Sequence, residues 1–307
     1  MTRLLTTSVV RGSSRGDSHG GAYLVDLADE KAVQVLNWNT VDIDWRGRGG
    51  DRGLRGIAFY RQTVFIASST ELLAFDPEMR LTGRWSNPYL KHCHEISVHR
   101  DQVFLASAGY DSILAFDIKK QSFHWALHVE NDGYRLLGKQ FAPGGDEGPL
   151  RLNKLHINSI TTNEDGMYIG GLRTGGLLHF NGKSVNMSAS LPEGTHNAQP
   201  FEDGVLFNDT EANVVRFASQ DYTRDCAFKV PLLPQEDVTE TEPDESRLTH
   251  PSFGRGLCIV KDRIIAAGSS PATVALHDLD SGETALTVTL STDVRNTIHG
   301  LEVWPFS

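Results

Sequence analysis

Six short segments of the chain start in the same way, with an arginine or a histidine, and in four of them that residue is histidine. The segments are Arg55-Gly-Ile-Ala-Phe, His94-Glu-Ile-Ser-Val, His156-Ile-Asn-Ser-Ile, His196-Asn-Ala-Gln-Pro, Arg255-Gly-Leu-Cys-Ile and His299-Gly-Leu-Glu-Val. Successive segments are 39, 62, 40, 59 and 44 residues apart. A unit of about 40 residues, twice lengthened by an insertion, is the period of a β-propeller blade. The pattern therefore predicts six polar side chains around a common axis, which we call the axial ring.

The four histidines of the axial ring predict a metal site. Histidine accounts for only 12 of 307 residues, so four at six equivalent positions is an unusual concentration. Neutral imidazole is a ligand for iron, copper and zinc, and three or four imidazoles leave coordination positions open for a substrate or oxygen. We expect iron(II) or copper, with zinc as the alternative. The predicted ligands are His94, His156, His196 and His299. The opposing interpretation is that these side chains only hydrogen-bond to neighbouring blades and to channel water.

The two arginines of the axial ring predict an anionic substrate. Arg55 and Arg255 flank His299 in blade order, and a guanidinium group binds carboxylate, sulfate or phosphate through parallel hydrogen bonds. The opposing interpretation is that each arginine neutralises a buried aspartate and joins adjacent blades. Tyr110 and Arg173 lie on loops expected to reach over the ring, and we include them among the catalytic candidates.

Three further groups lie beside the predicted site in the sequence. His92 and His94 form a His-x-His pair, which on a strand places both rings on one face, so His92 is either an acid–base group or an auxiliary ligand. Cys93 lies between them and is either a ligand or nucleophile, or an apolar buried thiol. Glu95 and Glu302 either orient imidazole N–H groups or join neighbouring blades.

The elements that position the axial ring are predicted to be short strands. Each of the first five opening segments is followed by three more runs rich in β-branched and aromatic residues and bounded by turn formers, and no long helical periodicity occurs. Four strands per unit make one blade. The predicted blades span about 55–86, 94–130, 156–190, 196–230 and 255–291, and the sixth combines 299–307 with 4–38. Its strands are expected at Leu4–Arg11, Gly21–Leu27, Val33–Trp38 and His299–Phe306.

Closure of the last blade by both ends of the chain would remove the exposed sheet edges of an open ring. We therefore predict one all-β domain over residues 1–307. Insertions at 39–54, 131–154 and 231–254 precede first strands, which puts them at the same end as the axial ring, where loops tend to carry function. The acidic segment 236–246 is expected to be a solvated loop.

Composition excludes several classes of function. The formal net charge is −10 and the sequence pI is about 5.6; with no lysine- and arginine-rich stripe, nucleic acid is not an expected partner. No apolar run approaches the length of a membrane span. The three cysteines form no Cys-x-x-Cys pair, so no disulfide framework is expected, and the cytoplasm is the predicted compartment. The oligomeric state stays open.

The blade pattern resembles the six-bladed propellers of the gluconolactonase, strictosidine-synthase and NHL-repeat kind. The segments Leu155-His-Ile-Asn-Ser-Ile160, Phe253-Gly-Arg-Gly-Leu257 and His299-Gly-Leu-Glu-Val-Trp304 are most similar to those of an uncharacterised bacterial propeller family. The resemblance covers most of the chain and implies the fold. Gluconolactonases hold a divalent metal with Glu, Asn and Asp, whereas this chain offers histidine, which argues against a straightforward lactonase.

The four-histidine pattern is similar in its coordination logic to carotenoid oxygenases, which hold iron(II) on four histidines at a propeller axis. Those proteins are seven-bladed and much longer, and a likeness of fold does not fix chemistry. The sequence thus predicts a metal-dependent enzyme acting on a small anionic organic molecule, with an oxygen-using oxidoreductase as the first reaction class. A metal-assisted lyase or hydrolase is the next alternative. A non-catalytic propeller that binds a ligand or protein across its top face is the third.

Overall fold

Short strands make up nearly all of the regular secondary structure in the described residues. A computed structural model describes residues 2–39, 52–221, 223–239 and 252–306. Within these residues the helical elements are two single-turn 3₁₀ helices, Ala108–Tyr110 and Gln235–Asp237. No helix in the described part of the chain has both the length and the apolar character needed to cross a membrane.

The strands are four to ten residues long, as expected for the short apolar runs that encode them. The first twelve are β1 Arg3–Val10, β2 Gly20–Asp26, β3 Lys31–Asn37, β4 Ile57–Tyr60, β5 Thr63–Ala67, β6 Glu71–Phe75, β7 Leu81–Ser86, β8 Cys93–His99, β9 Gln102–Ser107, β10 Ser112–Asp117, β11 Ser122–Asn131 and β12 Leu136–Phe141. The remaining strands are β13 Ile157–Asn163, β14 Gly166–Gly171, β15 Gly176–Phe180, β16 Val185–Ser190, β17 Thr195–Phe201, β18 Gly204–Asp209, β19 Val214–Ser219, β20 Cys226–Lys229, β21 Leu257–Lys261, β22 Ile264–Ser269, β23 Thr273–Asp278, β24 Glu283–Thr289 and β25 Asn296–Val303.

These strands form six antiparallel sheets, which confirms the predicted six-bladed propeller. Five sheets are consecutive along the chain: β4 to β7, β8 to β12, β13 to β16, β17 to β20 and β21 to β24. The sixth has the order β25-β1-β2-β3. The C-terminal strand β25 is therefore the first strand of this sheet, and the three N-terminal strands follow it, as expected. Leu5 pairs with Glu302 and Thr6 with Leu301 across this closing contact.

The insertion at 131–154 differs from the predicted loop because it contains a fifth strand. Strand β11 continues to Asn131, turns, and pairs with β12 along the outer edge of the second blade. Trp125 Nε1 donates a hydrogen bond to Gln140 Oε1 across this pair at 2.7 Å. Residues 40–51 and 240–251 lie outside the described residues, so the insertions at 39–54 and 231–254 and the acidic segment 236–246 are described only in part.

The hydrophobic core lies between neighbouring blades. The largest fully buried side chains include Phe75, Phe116, Phe207 and Phe217. One cluster joins apolar side chains of the first and second blades, and another joins those of the second and third. Because each sheet packs face to face on the next, the inner strands are held at fixed positions around the axis. This scaffold sets the geometry of the axial ring.

Candidate functional site

Three histidines lie around His94 at the axis of the propeller. The centroid of the His94 ring lies 5.1 Å from that of His156, 5.8 Å from that of His299 and 6.5 Å from that of His196. His94, His196 and His299 are buried, whereas His156 is half-buried. The structure therefore brings together the four imidazoles that were predicted as ligands.

Two guanidinium groups contact opposite edges of the His94 ring. Arg55 Nη1 lies 3.4 Å from His94 Nε2, and Arg255 Nη1 lies 3.3 Å from His94 Nδ1. Arg55 Nη1 also donates to the backbone carbonyl of Cys93 at 3.2 Å. Both arginines are buried, with 2% and 6% of their surfaces exposed. Positive charge is thus placed directly against the histidine cluster.

His156 reaches the cluster from a position that the sequence repeat does not predict. Ile160 pairs with Ile169 as Ile96 pairs with Leu105, so Asn158 occupies the strand position equivalent to that of His94. His156 precedes the strand and has a left-handed backbone, with φ of 53°. The expectation that all six residues of the axial ring are structurally equivalent is therefore wrong for this blade.

A buried carboxylate fixes the chain that carries His156. Asp111 accepts hydrogen bonds from the backbone N–H groups of Lys154, Leu155 and His156 at 2.6, 3.1 and 2.8 Å. Arg173 donates to the carbonyl oxygens of Asn153 and Lys154 at 2.7 and 2.5 Å. These bonds hold the loop before β13 from two sides. The described contacts of Arg173 therefore make it a positioning residue for His156.

The hydrogen bonds of two histidines define which ring nitrogen carries the proton. His196 Nδ1 lies 3.1 Å from the carbonyl oxygen of Gly194, and His156 Nδ1 lies 2.9 Å from Asn153 Oδ1. A carbonyl or amide oxygen only accepts, so each Nδ1 is the donor and each Nε2 carries a lone pair. The Nε2 atoms of His196 and His299 are buried and have no hydrogen-bond partner among the described residues.

Burial keeps these imidazoles uncharged. Desolvation lowers the pKa of His94, His196 and His299 well below the usual 6.5, and the positive charges of Arg11, Arg55 and Arg255 act in the same direction. Desolvation also lowers the pKa of His156 to about 3, followed by the effects of Arg255, Arg173 and His92. At neutral pH the site therefore combines charged guanidinium groups with neutral imidazole bases.

Three other predicted site residues have contacts away from the His94 cluster. The ring of Tyr110 packs on Tyr89 at 5.3 Å, next to the core of the second blade. His92 Nε2 lies 2.8 Å from Arg151 Nη2. Cys93 is fully buried in the same hydrophobic core, where desolvation raises its thiol pKa far above the usual value. Cys93 is thus an apolar core residue and not a reactive thiol.

Arg11 and Phe253 belong to the site, although the sequence reading did not assign them to it. The Phe253 ring lies 4.9 Å from the guanidinium carbon of Arg255, 5.8 Å from that of Arg11, and 5.8 Å from the ring of His196. The charge of Arg11 also lowers the pKa of His299. Arg11 follows β1 and Phe253 precedes β21, so only closure of the propeller brings them together. A half-buried aromatic face thereby joins the cationic site.

The axis continues beyond the histidines as a cavity of about 290 Å³, which we call the lower channel. Its polar lining includes Glu95, Ser159, Asn197 and Glu302. Glu95 accepts a hydrogen bond from Asn197 Nδ2 at 2.8 Å, across the axis and two blades away. Burial raises the pKa of both Glu95 and Glu302 to about 8, and the charge of Glu302 adds to the shift of Glu95. The described hydrogen bond of Glu95 therefore joins the second and fourth blades and does not orient an imidazole.

The geometry does not complete the predicted metal site. Within residues 2–39, 52–221, 223–239 and 252–306, no group of three or more His, Cys, Asp or Glu side chains is arranged to hold a metal ion. Both nitrogens of His94 face guanidinium groups, so this histidine would have to leave one contact to become a ligand. The arrangement as it stands is an arginine- and histidine-lined polar site.

No family model and no curated protein sequence matches this chain. Solved structures do resemble it. One is a chain of a nidogen/laminin complex, with a TM-score of 0.61 and 11% identity over 99% of this chain and 98% of that one. A protein of unknown function from Bacteroides caccae has a TM-score of 0.59 and 10% identity over the full length of both chains.

A third solved structure is a catalytically inactive virginiamycin B lyase from Staphylococcus aureus with quinupristin, with a TM-score of 0.48 and 12% identity over 79% of this chain and 71% of that one. At such low identities the likenesses of the first two structures concern the fold alone. The resemblance to gluconolactonases and to a bacterial propeller family stays a prediction.

Proposed function

We propose that the protein is an enzyme that binds a small hydroxylated organic anion at the axial ring. In this proposal Arg55 and Arg255 hold the anionic group of the substrate, and an imidazole accepts a proton from it. The observation that carries the proposal is the pairing of buried guanidinium groups with buried Nε2 lone pairs at one point on the axis. Guanidinium groups only donate hydrogen bonds, and the Nε2 atom of neutral His196 only accepts.

This combination favours a ligand that carries both a negative charge and a hydrogen-bond donor. A carboxylate would accept hydrogen bonds from the arginines, and a hydroxyl group would donate to His196 Nε2. Leaving a buried acceptor unpaired costs about 1–3 kcal/mol, so a hydroxyl that satisfies it gains affinity. The lowered pKa of the imidazole leaves its lone pair available at neutral pH. A bound anion would raise that pKa again, which is the condition for accepting a proton.

The experiment compares hydroxylated and plain organic acids as ligands. Glycolate, lactate, malate and citrate are titrated into the protein by calorimetry beside acetate, propionate and succinate. The hydroxylated acids are expected to bind about tenfold or more tightly than their plain partners, since a hydrogen bond of about 1.4 kcal/mol corresponds to that factor. Arg255→Gln is expected to weaken both groups of ligands, whereas His196→Ala is expected to weaken only the hydroxylated acids.

His124→Gln is the matched control, because His124 is exposed on an outer strand. If plain and hydroxylated acids bind equally, or if His196→Ala changes nothing, the proposed role of the imidazole is wrong. Binding of hydroxylated acids without any turnover would favour the non-catalytic propeller.

A metal-dependent, oxygen-using oxidoreductase is the second candidate, and one observation favours it. His156 and His196 each bind an oxygen acceptor through Nδ1, which is the arrangement that orients metal-bound imidazoles. Iron(II) or copper, with zinc as the alternative, would then be held by His156, His196 and His299, with His94 as a fourth ligand after displacement of one guanidinium contact. The neighbouring arginines count against a bound cation.

Elemental analysis of protein purified without added metal tests this candidate. The metal hypothesis predicts close to one equivalent, with loss of metal on any single His→Ala change in the set. Less than about a tenth of an equivalent, with no uptake on addition of iron, copper or zinc, would remove it.

A further inference from the structure

The lower channel has the chemistry of a binding site that is separate from the axial ring. It lies beyond the histidines along the first strands of the blades and is lined by apolar side chains such as Ile57, Phe59 and Ile96. Glu95 and Glu302 face the same space from the second and sixth blades. Two carboxyl groups in an apolar passage require either protons or a cation to be stable.

An unsatisfied hydroxyl group points to a ligand here independently of the carboxyl pair. Ser159 lines the same cavity, is 2% exposed, and its Oγ atom has no hydrogen-bond partner among the described residues. Most buried polar groups in proteins have such a partner. A hydroxyl oxygen and two carboxyl groups give three acceptor groups around one space.

We propose that the lower channel binds the ammonium group of a small primary amine between Glu95, Glu302 and Ser159. A primary ammonium ion carries three N–H donors, which matches the three acceptor groups. The apolar walls formed by Ile57, Phe59 and Ile96 suit a short carbon chain. A calcium ion, by comparison, takes six to eight oxygen ligands. The cavity volume of about 290 Å³ is large enough for a short alkylamine.

Binding of an ammonium ion is expected to change the protonation of Glu95 and Glu302. The charges that act on Glu95 are those of Glu302, Arg255 and Arg55, of which only the arginines favour its ionised form. With both pKa values near 8, the carboxyl groups hold protons at pH 7. An arriving ammonium ion favours the ionised form, so binding releases protons to solvent. The proposal does not depend on the function of the axial ring, and either can fail alone.

The experiment uses the full chain at pH 7 and n-butylammonium chloride as the probe. Calorimetry in two buffers of different ionisation enthalpy is expected to show binding with proton release. Tetramethylammonium, which has the same charge and no N–H donor, is expected to bind about tenfold more weakly or worse, because hydrogen bonds to charged groups contribute about 1.5–3 kcal/mol. Calcium chloride tests the metal alternative.

Variants locate the site. Glu302→Gln and Glu95→Gln are each expected to weaken butylammonium binding about tenfold or more, and Ser159→Ala by a smaller factor. Glutamine imitates the protonated carboxyl group, so these proteins are expected to fold. Glu164→Gln, at an exposed residue paired with Arg100, is the control that leaves binding unchanged. Undetectable butylammonium binding, binding that Glu302→Gln does not weaken, or binding of calcium alone would each overturn the proposal.

Discussion

Replacing Glu302 with glutamine should make the protein more stable at alkaline pH and leave it unchanged at pH 5. The ordinary pKa of glutamate is 4.5, and burial raises that of Glu302 to about 8 in the folded protein. Between these values the folded state holds a proton that the unfolded chain has released. Stability therefore falls as pH rises through this window and levels off above it. A glutamine has no proton to lose, so the variant lacks this fall.

The size of the effect follows from the shift and from the position of the side chain. One pKa unit corresponds to about 1.4 kcal/mol, so a shift from 4.5 to about 8 sets an upper bound of about 5 kcal/mol. Glu302 is only partly buried by surface area and borders a water-accessible channel, and solvent screening reduces the contribution. We expect the variant to be about 1–2 kcal/mol more stable than the wild type at pH 9.

Urea unfolding at pH 5, 7 and 9 measures this difference. The two proteins should have equal free energies of unfolding at pH 5 and diverge progressively toward pH 9. Glu164→Gln serves as the control, since Glu164 is exposed and pairs with Arg100 at the surface; its free energy should follow that of the wild type at every pH. Parallel curves for wild type and Glu302→Gln from pH 5 to 9 would refute the raised pKa and with it the argument that the carboxyl pair is protonated.

Three further outcomes test other parts of the structure. Asp111→Ala should destabilise the protein by about 1–3 kcal/mol and speed amide hydrogen exchange at residues 154–156, because three N–H groups lose their acceptor. Unchanged exchange would show that Asp111 does not position His156. Any metal on the axial imidazoles should be retained between pH 7 and pH 5, because burial lowers their pKa values below 6.5. Release of metal with a midpoint near pH 6.5 would contradict the lowered pKa values. Deleting residues 299–307 should prevent folding, because it removes most of β25 and the buried Leu301 and Trp304; a truncated protein with unchanged melting would disprove closure by this strand.

The number of blades and the closure of the ring could be predicted from the sequence because both depend on local patterns that recur. Each blade repeats short apolar runs and turns, and the unpaired runs at the two chain ends complete one another. Strand β12 could not be predicted in the same way. Its sequence, Leu136-Leu-Gly-Lys-Gln-Phe141, contains a glycine and two polar residues, and it pairs only at an outer edge, where little apolar surface is required.

Site residues could be predicted from the sequence where they head a strand. They could not be predicted where a loop sets their position. Arg55, His94 and Arg255 meet as the repeat suggests. His156 does not, because it lies in the loop before β13, two residues ahead of Asn158, which occupies the strand position of His94. A repeat period read to within a few residues cannot resolve a shift of two. Arg11 was predicted as the last residue of a strand and lies just after β1, and only the closed ring places it near Phe253.

The axis of the propeller places arginines at one level and carboxyl groups at another, and this arrangement links its two proposed sites. Arg55 and Arg255 lie against the histidines, and the carboxyl groups of Glu95 and Glu302 lie on the far side in the lower channel. The fields of both arginines reach Glu95, so they oppose a cation bound there. An anion held by the same arginines would cancel part of that field and tighten the binding of an ammonium ion below. Because coupling between two sites is reciprocal, an ammonium ion in the lower channel would strengthen anion binding at the axial ring to the same degree.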